Sequence, residues 1–362
     1  MMRYSNNHSH KQLAGFTLIE IMVALAISAL LLGGIVQVFF TLKQTNKVST
    51  ALSRIQESGQ VAYDIMSYDA RMAGFVGCAD PSLKMSVVVV ASNTPIYGGS
   101  YLSSSVWGTD VTATGWGTAT GLDMGTTTAI NGSGARNARL NSDVVRFQHL
   151  TSANMPLSAN MTSKASNVTI GSNVLGLTTG NLAVVSNCVE GNLFRISSFS
   201  TSPVALAHST SNNSSSDLTR TFTTDAGVYG FVSNTYFVGD TGRKNSRGDT
   251  IYGLFMRDVN NNVNELVEGV DYMRILYGQK FSTNNVRYVD ASDSHLNMDE
   301  VASVKIALLL VSDEPVLDSD DTHRYILLDT PIANTGTTIT YPNDRRMRRV
   351  FNMTIQLRNR GL

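Results

Sequence analysis

The stretch FTLIEIMVALAISALLLGGIVQVFF, from Phe16 to Phe40, decides how the rest of the chain is read. It contains no proline, and Glu20 is its one charged side chain. As an α-helix it reaches about 37 Å, enough to cross a hydrocarbon core of about 30 Å. Gly33 and Gly34 are tolerated in such a helix. A secretory signal peptide is the alternative, but this run is too long for an ordinary signal core, and secretory cleavage follows the apolar region. Arg3 and Lys11 precede the run while Lys43, Lys47 and Arg54 follow it, so positive charge does not set its orientation.

Glu20 is the sharper feature. A carboxylate near the end of a membrane helix costs several kcal/mol unless it is paired or reaches the interface. Two readings stand. Glu20 lies close enough to the start of the run to snorkel to the headgroups. Alternatively it awaits a cation: an amine made at Phe16 by cutting after Gly15, one turn away on its own chain or on the next subunit.

The 362 residues carry a formal net charge of +0, so the whole chain has no bulk pull toward nucleic acid or an anionic surface. Charged residues are 15% of the chain, against about 25% in ordinary soluble proteins. Ser, Thr, Asn and Gly take their place, a composition of turns and solvated loops that fits an exported, β-rich protein better than a cytoplasmic enzyme. The two cysteines, Cys78 and Cys188, form no CxxC pair and have no His at zinc-ligand spacing. In an exported protein a disulfide is the leading reading, worth about 4–5 kcal/mol in the chain-entropy model; two separate buried thiols are the alternative.

Helical periodicity continues past the apolar run. Val48, Leu52, Ile55, Ala62 and Met66 recur on one face, with Lys47, Ser49, Arg54, Gln56, Glu57 and Gln60 on the other. One long helix is therefore predicted from about Phe16 to Met72, its second half packed on a soluble head, with Gly59 a weak spot of about 1 kcal/mol rather than a break. Strand signals follow at Val87–Ala91, Val144–Gln148, Leu182–Ser186, Leu193–Phe199, Tyr229–Val232, Tyr236–Val238, Ile251–Met256, Tyr272–Tyr277, 302–310 and Val350–Leu357. Residues 98–141 and 208–220 read as long loops, and the head reads as one elaborated domain.

Candidate chemistry is sparse. Asp258, Asn260 and Asn262 offer alternating oxygens, but an EF-hand needs Gly and Glu where Val263 and Gly269 stand, so a hairpin turn is the better reading. Asp318, Asp320 and Asp321 read as a solvated acidic loop. His8 and His10 resemble a metal tag, and His149, His208, His295 and His323 are scattered. No metal site, catalytic residue or cofactor is expected, and no nucleophile or phosphate-binding motif is present. Arg345, Arg346, Arg348 and Arg349, with Arg358 and Arg360, form a basic cluster. On a strand, Arg346 and Arg348 share one face and Arg345 and Arg349 the other. A solvated edge strand, a docking surface for another subunit or, less favoured, a DNA-binding face are the readings. No specific nucleic acid is expected as a partner.

Gly15-Phe16-Thr17-Leu18-Ile19-Glu20 resembles the type III signal of type IV pilins and pseudopilins. Carried over by position, the resemblance implies that a prepilin peptidase cuts after Gly15, that Phe16 becomes the N-methylated first residue, and that Glu20 pairs with a neighbour's N-terminal amine. Gly74-Phe75-Val76-Gly77-Cys78 resembles the helix end of PilW-type minor pilins. Glu265-Leu266-Val267-Glu268-Gly269-Val270 with Leu276-Tyr277-Gly278 is similar to that family's late motif. So are Asp344-Arg345-Arg346-Met347-Arg348-Arg349-Val350-Phe351 and Leu357-Arg358-Asn359-Arg360. The implied fold is α+β and pilin-like, with one long N-terminal helix on an antiparallel β-rich head. The implied organisation is a leader over 1–15, a transmembrane and assembly helix over 16–40, its amphipathic continuation over 41–75, and a periplasmic head over 76–362. The implied partners are other minor pilins, the major pilin, a large tip adhesin, the prepilin peptidase/methylase and, before assembly, the inner membrane. The final location is the pilus. The implied role is assembly or priming of the pilus, without enzymatic turnover. A minor pseudopilin of type II secretion is the relative to separate from it, and a tip adhesin or DNA-uptake receptor using residues 98–141 is the rival of another class.

Overall fold

The computed structural model describes residues 16–78, 86–87, 105–112, 115–116, 138–260, 262–282 and 285–360. Two compact units are present, Met1–Thr50 and Ala51–Leu362. The helix Leu18–Met72 supplies residues to both. It begins two residues later than predicted, because Phe16 and Thr17 stand ahead of its first turn.

In the first unit the helix is bare. Leu18, Leu25, Leu30, Ile35, Phe39 and Leu42 are all exposed, and none of its most apolar stretch is buried. By length and composition this helix can cross a membrane.

In the second unit the predicted stripe is buried at Ile55, Ala62 and Met66, and Ala51, Gly59 and Ala70 extend it. Small residues along this face let sheet side chains approach the helix backbone. At Gly59 the Phe351 ring lies 2.6 Å from where a Cβ would stand. The stripe joins a core with Phe147, Tyr236, Met273, Ile306 and Met353, drawn from both large sheets.

Among the described residues the larger sheet has ten strands, with the spatial order Ser86–Val87, Gly191–Arg195, Leu182–Ser186, Gly227–Lys244, Asp143–Leu150, Val106–Thr112 and Gly115–Trp116 along its main path. The hairpin Thr250–Arg257 and Val263–Glu268 joins it through Gly227–Lys244. Two predicted strands, Tyr229–Val232 and Tyr236–Val238, are one strand of 18 residues. The intervening polar residues belong to the ladder: Ser233 and Thr235 pair with Gln148 and Arg146, and Asn234 with Phe147. Val106–Thr112 lies inside the segment expected to be loop, and it buries Trp107 at 6% exposure. Residues 98–104, 113–114 and 117–137 of that segment lie outside the described residues.

The second large sheet is antiparallel, in the order Asn285–Val289, Val270–Ser282, Val301–Val311 and Arg348–Gln356. Val301–Val311 is buried over most of both faces, which accounts for its nearly unbroken apolar sequence. Arg348–Gln356 is an edge strand that buries Met353 and Ile355 and exposes Asn352, Thr354 and Gln356, an alternation already present in the sequence. Residues 208–220 contain no helix or strand but are stitched down rather than a bare linker. Asn213 donates to Arg195 O at 2.9 Å and accepts from Arg195 N at 2.8 Å. Asn192 accepts from Thr219 N at 2.7 Å.

The helix stop is equally well tied. Ala73 N donates to Asp69 O, Gly74 N to Gln148 O at 2.9 Å, and Leu150 N to Phe75 O at 2.8 Å. The Asn359 side chain donates to Arg71 O at 3.1 Å and Met72 O at 3.3 Å, two helix-end carbonyls.

Candidate functional site

Glu20 sits in the first turn of the long helix. Its Oε2 accepts from Thr17 N and from Thr17 Oγ1, each at 3.0 Å, while Glu20 N donates to Thr17 Oγ1 at 3.3 Å. This is a reciprocal capping box, with Thr17 as the cap and Glu20 reaching back to it. Neither the snorkelling nor the cation reading of Glu20 includes this box, although a Thr three residues before a Glu is its signature. Phe16 is 84% exposed beside it. Gly15, the leader, His8 and His10 lie outside the described residues.

Cys78 and Cys188 are joined in a disulfide with their Cα atoms 4.7 Å apart. The bond ties the turn after the helix to the hairpin of Leu182–Ser186 and Gly191–Arg195, strands that pair antiparallel. The alternative of two separate thiols is thereby removed.

The basic cluster is divided between core and surface. Arg345 and Arg349 are exposed, whereas Arg346 and Arg348 are each 2% exposed. The expectation of a shared docking surface is therefore corrected for Arg346 and Arg348, which are structural. Arg348 grips Asp344 with two bonds of 2.7 Å, reaches Asp321 at 3.2 Å and Asp271 at 3.3 Å, and stacks 4.1 Å over the Tyr341 ring. Arg346 Nε donates to Ser312 O at 2.7 Å. Arg139 completes the group, paired with Asp271 and sandwiched between the Tyr252 and Tyr272 rings. Burial works against ionising Asp271, but the Arg139, Arg348 and Arg346 guanidiniums prevail and hold its carboxyl down at about 2. Asp321 is correspondingly not a solvated loop residue, since its side chain is fully buried against Arg348 and Tyr325. Asp320 remains at the surface with Arg345, 3.6 Å away.

A second buried carboxylate, Asp69, fastens the helix to the larger sheet. Tyr236 OH donates to it at 2.5 Å and Asn234 Nδ2 at 2.7 Å, and His149 Nε2 lies 3.4 Å away. Burial opposes its ionisation, but the hydrogen bonds from His149, Tyr236 and Asn234 outweigh this and hold the carboxyl below its usual range. His149 thus has a packing role. His208 is buried with Nε2 at 3.0 Å from Ser166 O, and His295 and His323 are exposed.

Asp258 accepts from Asn260 N and Asn262 N at 2.8 Å, inside the hairpin that pairs Arg257 with Val263. This is turn chemistry, as the sequence suggested. Among the described residues no group of three or more His, Cys, Asp or Glu could hold a metal ion. A third charged cluster was not anticipated: Asp110, Asp143 and Arg274, beside the buried Tyr277 hydroxyl.

Comparison with known families bears on both ends of the chain. The prokaryotic N-terminal methylation motif matches residues 11–36, and the type IV pilus-assembly protein W family, PilW, matches residues 235–359. No curated protein and no solved structure matches. A methylation motif on one long apolar helix, followed by an antiparallel β-rich region, defines a type IV pilin-like protein, anchored in the inner membrane and assembled into the pilus. Within that class the match over residues 235–359, together with the methylation motif, supports a PilW-family type IV pilin. The family match spans the late motifs at 265–278 and 344–351 and the two interleaved Arg–Asp pairings that hold them.

Proposed function

We propose that this minor pilin acts in a complex of minor pilins that primes or tips the pilus, together with the major pilin and a large tip adhesin, and so supports motility, adhesion or DNA uptake. The observation that carries the reading is the methylation motif set on a helix whose apolar surface is bare from Leu18 to Leu42. A helix bare on all sides needs lipid or other helices around it. In this reading the peptidase cuts after Gly15, Phe16 is methylated, and Glu20 receives a neighbour's amine as the helix leaves the bilayer. Pilin-family domains are structural, so the chain is substrate and building block rather than catalyst.

The test separates processing from assembly. Gly15→Leu should leave the unprocessed form on a gel. Glu20→Ala should mature normally yet fail to support surface pili; normal piliation in that variant would count against the pairing. Co-purification of the detergent-solubilised full chain with other minor pilins addresses the complex, and its absence under conditions that preserve the pilus would remove it.

A further inference from the structure

Among the described residues the strand Arg348–Gln356 pairs with Val301–Val311 on one side and with no strand on the other. In an antiparallel ladder, alternate residues turn their N–H and C=O toward the partner. Ser312 N donates to Met347 O and Leu357 N to Ala302 O, each at 2.8 Å, one bond beyond each end of an unshifted register. The odd-numbered residues from Met347 to Leu357 therefore bond Val301–Val311, and Val350, Asn352, Thr354 and Gln356 turn their backbone groups outward. Those groups have no hydrogen-bond partner among the described residues. Val350 packs half-buried against the cluster of Leu327 and Tyr341, while Asn352, Thr354 and Gln356 are exposed, so the open stretch runs from Phe351 to Leu357.

A free edge invites pairing with another chain, and natural sheets blunt it with short strands, charges, proline or bulges. Other strands of this molecule carry such devices. Asn285–Val289, the opposite edge of the same sheet, has five residues, includes Arg287 and adjoins a register shift. Ser86–Val87, Gly115–Trp116 and Met155–Pro156 have two residues each, and Val263–Glu268 carries Glu265 and Glu268. Arg348–Gln356 has nine residues. From Val350 to Leu357 the sequence VFNMTIQL holds no charge and no proline, and its register is unbroken. A neutral, β-prone segment left bare is an aggregation hazard, which argues that a partner strand covers it. Cations flank the open stretch: Arg349 and Arg358 are exposed and form no ion pair among the described residues. Two copies paired antiparallel through this edge would set the Arg349 end of each against the Arg358 end of the other, so charge disfavours self-pairing. An extended segment with acidic residues at its two ends answers both arginines.

We propose that the open edge from Phe351 to Leu357 docks one extended segment of a partner protein as an added strand, neutral and β-prone in its middle and acidic at both ends. Main-chain bonds to Asn352, Thr354 and Gln356 supply affinity, and Arg349 and Arg358 select the acidic ends. The proposal rests on the chain working beside other proteins in the pilus. Its test uses synthetic strands, so it reads the edge whether or not the minor-pilin complex forms. Amide exchange of the detergent-solubilised full chain is measured with two acetylated, amidated peptides, DVTVTVTVD and KVTVTVTVK. At saturation the acidic peptide is expected to slow exchange at Asn352, Thr354 and Gln356 at least tenfold, and to bind at least tenfold more tightly than the lysine-flanked one. Arg349→Glu with Arg358→Glu should reverse that preference. Thr354→Pro removes an outward N–H and leaves the ladder to Val301–Val311 intact, so it should weaken the acidic peptide at least tenfold. A melting scan checks each variant, and the charge-reversed chain, altered only at exposed positions, decides the matter if the proline variant does not fold. No protection at millimolar acidic peptide, equal affinity for the two peptides, or a preference unmoved by charge reversal overturns the proposal. Protection of the same amides by raised protein concentration alone also overturns it, by assigning the edge to a second copy.

Discussion

Arg348→Met separates a structural arginine from a docking one. The Arg348 side chain is fully buried and binds three carboxylates, Asp344, Asp321 and Asp271. Methionine fills similar space without charge and strands those carboxylates in the core. Removing one partner from a buried ion pair costs about 3–5 kcal/mol. At roughly 2–3 °C per kcal/mol for a large domain, Tm should fall by about 6–15 °C. The pH profile supplies a second readout. Asp271 is held at about 2 against an ordinary 3.8, which is roughly 2–3 kcal/mol of pH-linked stability. Because the folded value is the lower one, this contribution is complete above about pH 4 and is lost as pH falls toward 2. With Arg348 gone, Arg139 and Arg346 hold Asp271 less strongly, so acid destabilisation should begin at higher pH. Thermal unfolding of the full chain in detergent, disulfide intact, between pH 2 and 8 measures both. Arg345→Ala and Arg349→Ala, at exposed positions, should change stability by less than about 0.5 kcal/mol. An Arg348→Met protein melting within about 2 °C of the parent at pH 7, with an unshifted acid limb, would refute the argument.

Gly59→Ala gains about 1 kcal/mol of helix propensity but sets a Cβ 2.6 Å from the Phe351 ring. Overpacking of this kind costs about 1–3 kcal/mol, so a net loss is expected, and Phe351→Leu in the same chain should recover it. Strictly additive melting shifts would show that the two do not meet. Asn359→Ala removes both side-chain bonds to the helix-end carbonyls, worth about 1 kcal/mol, and should speed amide exchange in the last helical turn about fivefold; unchanged exchange there would contradict the capping role. Thr17→Val should cost about 0.5–2 kcal/mol at the first turn, seen as faster amide exchange at residues 18–21 in micelles, and exchange equal to the parent would mean that the capping box is not populated.

The long helix and most large strands were legible because their periodicity is local. Phe351, Met353, Ile355 and Leu357 alternate with polar residues whatever packs on them. Arg346 and Arg348 were misread because burial of a charge depends on partners far along the chain. Asp271 lies 77 positions from Arg348, and no local pattern announces that pairing. Trp107 was lost for a related reason: its strand is embedded in Gly- and Thr-rich sequence, and only pairing with Asp143–Leu150 fixes it. Gly269 shows a motif acquiring a cause. It has φ +76°, and a Cβ there would meet Val311 O at 2.6 Å, so the Glu-Gly-Val turn into the next strand requires glycine.

Glu20 links the fold to the proposed assembly. Both Thr17 bonds go to Oε2, and Oε1 accepts none among the described residues. A carboxylate offers about four acceptor sites, so the cap leaves one oxygen open toward a neighbour. Donors from its own chain lower the cost of holding the carboxylate at the membrane boundary before any partner arrives. A positively charged amine at Oε1 then adds a charge-assisted bond, about twice as strong as a neutral one, in surroundings of low dielectric where it is strengthened further. Capping and pairing therefore need not compete. The same side chain can fix the first helical turn in the isolated subunit and present a pre-oriented oxygen during assembly, so that little order remains to be gained when the proposed pair forms.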